Sequence, residues 1–305
     1  MATLTMLSKL GTALIGAGGI VWTTVEKGPI ALKWLTTSAP LVRRRLAKKC
    51  SKEWVGVRLT PKTFVVNKKM QEAALADTNA FLGLMVMAAP EGAGKTTALA
   101  AAVKQLRNDD MSPVTGQLVF DLEDATSVRT ALDAEFCGHS PVDVLPKGTV
   151  VVLDHLDDVA TETVTDMGPT LRKLAHSALQ SQHFTVVALC RDPVFAEDVV
   201  QLNNAEKIHR VRGVNEWRMT PTEIDELFTK SLEAHAGYGT WFRSEWQEAI
   251  RAAAHEARTP AFVVHAMRRV SEDRPPVELD LHVTSICASW AYFLSAAHRS
   301  WSIER

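Results

Sequence analysis

The residues Ala89-Pro90-Glu91-Gly92-Ala93-Gly94-Lys95-Thr96-Thr97 have the types and spacing of a phosphate site. They follow an apolar run, Phe81 to Ala88, and open an alanine-rich run, Ala98 to Leu106, that reads as a helix. An apolar strand, a glycine turn and a helix beginning at Lys-Thr aim several backbone N–H groups at one point, where the β-phosphate of a nucleotide can sit. Gly92 and Gly94 let the backbone approach without a Cβ in the way, and Glu91, Ala93 and Thr97 complete the turn. Lys95 reaches the β- and γ-phosphates, and the Thr96 hydroxyl is placed to ligate Mg²⁺. Such a cradle only binds; hydrolysis also needs a partner for the metal and a group that holds water. Thr149-Val-Val-Val-Leu-Asp154 supplies the partner, because a carboxylate at the tip of a buried strand lands beside the threonine of the loop. In Val187-Ala-Leu-Cys-Arg191-Asp-Pro193 an arginine ends an apolar strand, where a cation tells a triphosphate from a diphosphate by Coulomb attraction in a partly dry site. Asp192 and Pro193 also suit the start of a helix without any further role.

Positioning these groups requires strands that end together on one side of a sheet. The expected strands are 83–88, 117–122, 149–153, 184–189 and 207–211, with helices at about 96–107, 124–136, 167–181 and 192–203 between them. Strict alternation calls for a parallel sheet with right-handed crossovers, and continuous apolar strands call for helices on both faces. Upstream, Trp54 to Val66 reads as extended and Asn67 to Asn79 as a helix. Downstream the pattern is helical, at about 221–236, 242–257, 260–271 and 278–298. The first of these opens on a capping box, Thr220-Pro221-Thr222-Glu223. Three regions follow: 1–50, a basic segment with a short hydrophobic run; 51–214, a nucleotide-binding domain; and 215–305, helical.

The cradle together with Asp154 resembles the P-loop NTPases, with Ala89 in place of the first glycine of their pattern. Asp154-His155-Leu156-Asp157-Asp158 looks like the signal-transduction ATPases of the NACHT and NB-ARC families within the AAA+ class, and Arg191-Asp-Pro resembles the same families. The resemblance covers about residues 80–270. It implies an α/β fold, a five-stranded parallel P-loop sheet of RecA/AAA+ type followed by an all-α lid, with ATP and Mg²⁺ as ligands. It implies Asp157 and Asp158 near the γ-phosphate, in water activation or metal support, and Arg191 as its sensor. Capping of the following helix is the other reading of Asp157-Asp158. His155 stands where many ATPases carry a glutamate that polarises water, and Leu189 and Cys190 stand where the signal-transduction families usually carry hydroxyl residues before the arginine. Arg258-Thr259-Pro260 to Arg268-Arg269 resembles the lid motif whose proline starts a helix against the nucleotide, with Arg258 where a glycine is usual. Arg268 or Arg269 would then face the phosphates or solvent, Val57 and Arg58 would line the adenine pocket or simply pack, and self-assembly would bring Arg210 or Arg212 to a neighbour's site. The resemblance implies Mg-dependent ATP binding and hydrolysis that drives a conformational or assembly switch. A nucleotide-gated scaffold or membrane-attached adaptor with little turnover is the alternative, favoured by His155.

With 305 residues, 46% of them hydrophobic, the chain can bury a sizeable core. Its net charge of −1 hides an asymmetry: residues 1–69 hold 13 Lys/Arg against 2 Asp/Glu, and the remainder 21 against 33. Residues 10–25 are uncharged and glycine-rich, but sixteen residues fall short of the roughly 20 that span a bilayer. With Arg43-Arg44-Arg45 and Lys48-Lys49 behind them, they fit an organellar presequence, a membrane anchor or a packed helix pair equally. Nucleic acid is a weaker partner for that cluster, since no aromatic residue interleaves it. Single, scattered cysteines (Cys50, Cys137, Cys190, Cys287) suit a reducing intracellular compartment, and no Cys/His spacing suits zinc. A small-molecule kinase lacks an assignable acceptor pocket, and helicase coupling motifs are not recognisable. Trp217, Trp241, Trp246, Trp290 and Trp301 gather in the last third, as core fillers or interface residues.

Overall fold

The computed structural model describes residues 37–52, 65–79, 83–159, 162–202, 208–210, 218–235 and 244–263. The hydrophobic run 10–25, Val57, Arg58, Arg212, Arg268, Arg269, the helix expected at 278–298 and the side chains of all five C-terminal tryptophans lie outside them. The first described helices are α1 (Ala39–Cys50) and α2 (Lys68–Asn79). Then β1 (Leu84–Ala88), α3 (Lys95–Arg107), β2 (Gly116–Asp121), α4 (Val128–Phe136), the short α5 (Pro141–Val144) and β3 (Thr149–Asp154) follow. A 3₁₀ turn at Leu156–Asp158 leads to α6 (Val164–Ser181), β4 (Phe184–Cys190), α7 (Pro193–Leu202) and β5 (Ile208–Arg210). The last described elements are α8 (Pro221–His235), α9 (Ser244–Ala257) and a helical start at 260–263.

All pairings in the sheet are parallel, in the order β2-β3-β4-β1-β5. Five strands of comparable weight were expected. Four of five to seven residues make the body of the sheet, and the fifth is a three-residue edge whose Ile208 pairs with Leu84. Side chains alternate faces along a strand, so one strand feeds two cores. Val151 and Leu153 of β3 and Val186 and Ala188 of β4 join one cluster, with α1, α4, α6 and α7. Val150 and Val152 of β3 and Val187 and Leu189 of β4 join the other, against α2 and α3. Helices thus cover both faces. Each fully buried side chain of the size of Phe184 or Leu99 contributes about 1.5–3 kcal/mol to holding these layers together.

Helix α1 belongs to this body. Val42, Leu46 and Cys50, one helical turn apart, are buried in the same cluster as Leu118 and Phe120 of β2. Part of the basic cluster is spent on that docking. Arg43 donates to the Asp143 carbonyl from Nε (3.1 Å) and Nη2 (2.8 Å), Arg45 bonds the Glu135 carbonyl, and Lys49 Nζ reaches both Glu135 carboxylate oxygens at 2.7 and 2.8 Å. Helix α1 and β2 thus share one packed surface, and Arg44 and Lys48 of the cluster are exposed. Among the described residues no helix is long and apolar enough to cross a membrane.

The C-terminal helices have a core of their own, in which Ile224, Leu227 and Phe228 of α8 meet Ile250 and Ala254 of α9, Phe262 and Val263. Glu223 ties this unit to α2. Its Oε2 accepts from the Thr220 backbone N–H (2.7 Å) and hydroxyl (2.9 Å), completing the expected capping box, while its Oε1 accepts from the Lys68 N–H (3.0 Å) at the start of α2. One carboxylate, 7% exposed, thus satisfies orphan donors at the N-termini of two helices.

Candidate functional site

The cradle is built by the step from β1 into α3. Ala88 pairs with Cys190, and the Ala89 N–H continues that ladder to the Cys190 carbonyl at 3.2 Å, which brings the end of β4 alongside the loop. The chain then turns through Gly92 (φ 73°) and Gly94 (φ 91°), both left-handed, and the first bond of α3 runs from Ala98 N–H to the Gly94 carbonyl at 2.8 Å. The N–H groups of Lys95, Thr96 and Thr97, in the first turn of α3, have no partner within the helix ladder, as an anion site requires.

The two distant parts meet. Thr96 Oγ1 donates to Asp154 Oδ2 at 2.9 Å, and Asp154, 5% exposed, takes the His155 N–H on its other oxygen at 3.1 Å. A hydroxyl and a carboxylate in contact are hard oxygen donors, the set that suits Mg²⁺ held through one protein ligand and a water shell. Lys95 Nζ donates to the carbonyls of Ala89 (2.6 Å) and Pro90 (3.2 Å). Burial lowers its pKa to about 8, although the carboxylates of Asp157 and Asp154 pull it back up. Cys190 is buried beside it, and that burial pushes its thiol well above the usual range, so it is an inert neighbour.

Asp157 and Asp158 divide their work. Asp157 Oδ2 accepts from the backbone N–H groups of Arg191 (2.6 Å) and Asp192 (2.8 Å), while its Oδ1 is buried with no partner. Asp158 pairs with the Arg191 guanidinium, and Arg191 Nη1 also lies 3.6 Å from Glu91 Oε2 on the phosphate loop. Neither aspartate caps the helix that follows in sequence. That helix, α6, is opened by its own capping box, Thr163 with Asp166. Lys95, Thr96, Asp154, Asp157, Asp158, Arg191 and Glu91 therefore lie in one connected group.

His155 is turned elsewhere. Its backbone is left-handed (φ 56°), and its Nδ1 bonds Asp121 Oδ1 at 3.0 Å on β2, where Asp121 is the register partner of Asp154. With Glu123 these make a group whose candidate ligand atoms lie within 4.8 Å of one another. Both acids are exposed, and their separation from His155 in sequence hides them from any search for local ligand spacing.

The lid-like motif also reaches the loop. The Ala261 N–H donates to the Gly92 carbonyl at 3.3 Å, and a Cβ built on Gly92 would stand 2.5 Å from the Ala261 Cβ. Pro260 Cγ lies 3.3 Å from the position of a Cβ on Gly94. Arg258 has φ 52°, a left-handed conformation that glycine adopts most easily. Its Nε donates to the Met219 carbonyl at 3.0 Å, which holds the bend against the start of α8.

No family model matches the chain, and no curated protein matches it. Among solved structures it is similar to a Walker-type ATPase of Pyrococcus abyssi, at 10% identity and a TM-score of 0.47, over 80% of this chain and 79% of that one. It is similar to domain III of the Thermotoga maritima replication initiation protein DnaA, at 13% identity and 0.45, over 77% and 99%. It is also similar to C. elegans PCH-2, at 11% identity and 0.44, over 76% and 70%. Likeness of this degree assigns no activity to this chain.

Proposed function

We propose that this protein binds ATP with Mg²⁺ in the cradle of residues 91–97, hydrolyses it, and uses the bound state to drive a conformational or assembly switch of the AAA+/signal-transduction type. The observation that carries this is the 2.9 Å contact between Thr96 and Asp154, with the half-buried Lys95 ammonium beside them. Lys95 and the N–H groups that open α3 hold the β- and γ-phosphates, and Thr96 with Asp154 holds the metal. The metal neutralises charge that develops on the phosphate oxygens. Asp157 orients the attacking water through Oδ1, the one oxygen of the acidic pair that is buried and unpartnered. Arg191 reads the terminal phosphate. Pro260 and Ala261 lie against Gly94 and Gly92, so a change in the loop is felt directly by the helices that act as the lid.

The second reading is a nucleotide-gated scaffold with little turnover, and His155 is what favours it. The position that carries a water-polarising glutamate in many ATPases holds an imidazole bonded to Asp121 instead. Phosphate release separates the two. Turnover by the wild type, lost in Lys95→Ala and reduced about a hundredfold or more in Asp157→Asn, is the enzymatic outcome. No release above the Lys95→Ala background, with nucleotide still bound, leaves the scaffold.

A further inference from the structure

Arg191 is held at both its backbone and its side chain by consecutive residues of one 3₁₀ turn. Asp157 fixes the N–H of Arg191, and Asp158 pairs with its guanidinium. A second carboxylate, Glu91 of the phosphate loop, approaches another nitrogen of the same fork, Nη1, at 3.6 Å. The two acids differ sharply in setting. The Asp158 side chain is 15% exposed and Glu91 is 81% exposed, with Arg191 between them at 39%. An exposed pair at 3.6 Å contributes little, because water screens it and two long side chains must be immobilised to keep it. A close and mostly buried pair is strong and directional, since the planar guanidinium offers its donors in fixed directions.

The geometry points to two distinct roles at this arginine, on the proposed reading that Arg191 recognises the terminal phosphate. Asp158 is a positioning residue that aims the guanidinium at the cradle. Glu91 is a replaceable partner whose place on the fork the γ-phosphate takes. Together they set the preference for a nucleoside triphosphate over a diphosphate. A diphosphate ends at the β-position and leaves the Arg191–Glu91 pair as it is. A triphosphate brings a stronger, multiply charged acceptor to the same edge of the fork and repels the Glu91 carboxylate, which is free to swing into water. Asp158, largely enclosed, stays and keeps the fork oriented.

The test is the ratio of affinities for β,γ-methylene ATP and ADP, each with Mg²⁺, measured by calorimetry on the full chain and on Arg191→Ala, Asp158→Asn, Asp158→Glu and Glu91→Gln. Loss of orientation in Asp158→Asn is expected to weaken the triphosphate analogue about tenfold and ADP by less than about twofold. Asp158→Glu is expected to restore most of the ratio, which recovery of bulk stability alone would not do. Glu91→Gln, a change on an exposed side chain, is expected to tighten the triphosphate analogue more than ADP. An Arg191→Ala variant with an unchanged ratio overturns both the reading of Arg191 and this inference. A lowered ratio in Arg191→Ala beside an unchanged ratio in Asp158→Asn overturns the inference alone. If Asp158→Asn does not fold, the Glu91→Gln ratio decides, and an unchanged value overturns the displacement.

Discussion

The Thr96 hydroxyl donates to Asp154 Oδ2 across 2.9 Å, joining two residues 58 positions apart in the chain. Strand order produces that contact. β4 lies between β1 and β3, so the loop after β1 and the tip of β3 end on the same edge of the parallel sheet, with the β4 tip between them. These three strands deliver charged or hydroxyl groups to a common point: Lys95 and Thr96 after β1, Asp154 at the end of β3, Arg191 after β4.

Nucleotide binding should depend on pH through Lys95. Burial lowers its pKa to about 8, so the free site loses this charge as pH rises through that value, while bound phosphates hold the proton. Affinity for MgATP is expected to be flat at about pH 7 and to fall toward pH 9, with proton uptake on binding in the upper range. Calorimetry in buffers of different ionisation enthalpy checks this; an affinity unchanged across the range contradicts it.

Gly92 is expected to tolerate no side chain. Alanine there would adopt a left-handed backbone and meet the Ala261 Cβ at 2.5 Å, a combined cost of about 2 kcal/mol or more. Gly92→Ala should lower the Tm by several degrees, and Ala261→Gly should recover the part due to the contact. Equal Tm values for the single and double variants would mean that the segment after α9 does not rest on the loop.

Glu223 should make the protein sensitive to acid. Burial raises its pKa, but the N–H groups of Lys68 and Thr220 and the Thr220 hydroxyl outweigh that and hold it below the usual glutamate value. A carboxylate lowered on folding contributes stability that is complete above its unfolded pKa and is lost as pH falls through the folded one. Stability should therefore drop below about pH 4.5, with a shallower drop in Glu223→Gln, whose lower starting stability reflects one lost acceptor, about 1–3 kcal/mol. Urea titrations at several pH values give the comparison, and parallel curves for the two proteins would contradict it.

Much of this site was legible because its parts are local in sequence. A strand, a glycine turn and Lys-Thr occupy neighbouring positions, and Asp154 and Arg191 each end an apolar run, so side-chain type and strand polarity were enough. Capping was equally local, and the Thr220–Glu223 box formed as expected. What stayed hidden depends on the order of strands or on contacts between remote segments. The basic cluster gave no sign that Arg43, Arg45 and Lys49 would be consumed by Asp143 and Glu135, roughly ninety residues or more away. His155 read as a substitution at a catalytic position, and only the pairing of β2 with β3 shows its ring bonded to Asp121. The division of Asp157 and Asp158 between backbone and guanidinium was likewise invisible, because two adjacent acids carry no directional information until the turn that holds them is known.

Equilibrium binding of a fluorescent ATP analogue, with Mg²⁺ and with the metal chelated, tests the central proposal most directly when run on the wild type, Lys95→Ala and Asp154→Asn. The wild type is expected to bind with magnesium and to lose most of that affinity on chelation. Lys95→Ala should bind weakly in both conditions, and Asp154→Asn should lose the difference that magnesium makes. A wild type that does not bind, or a Lys95→Ala variant that binds as the wild type does, would contradict it.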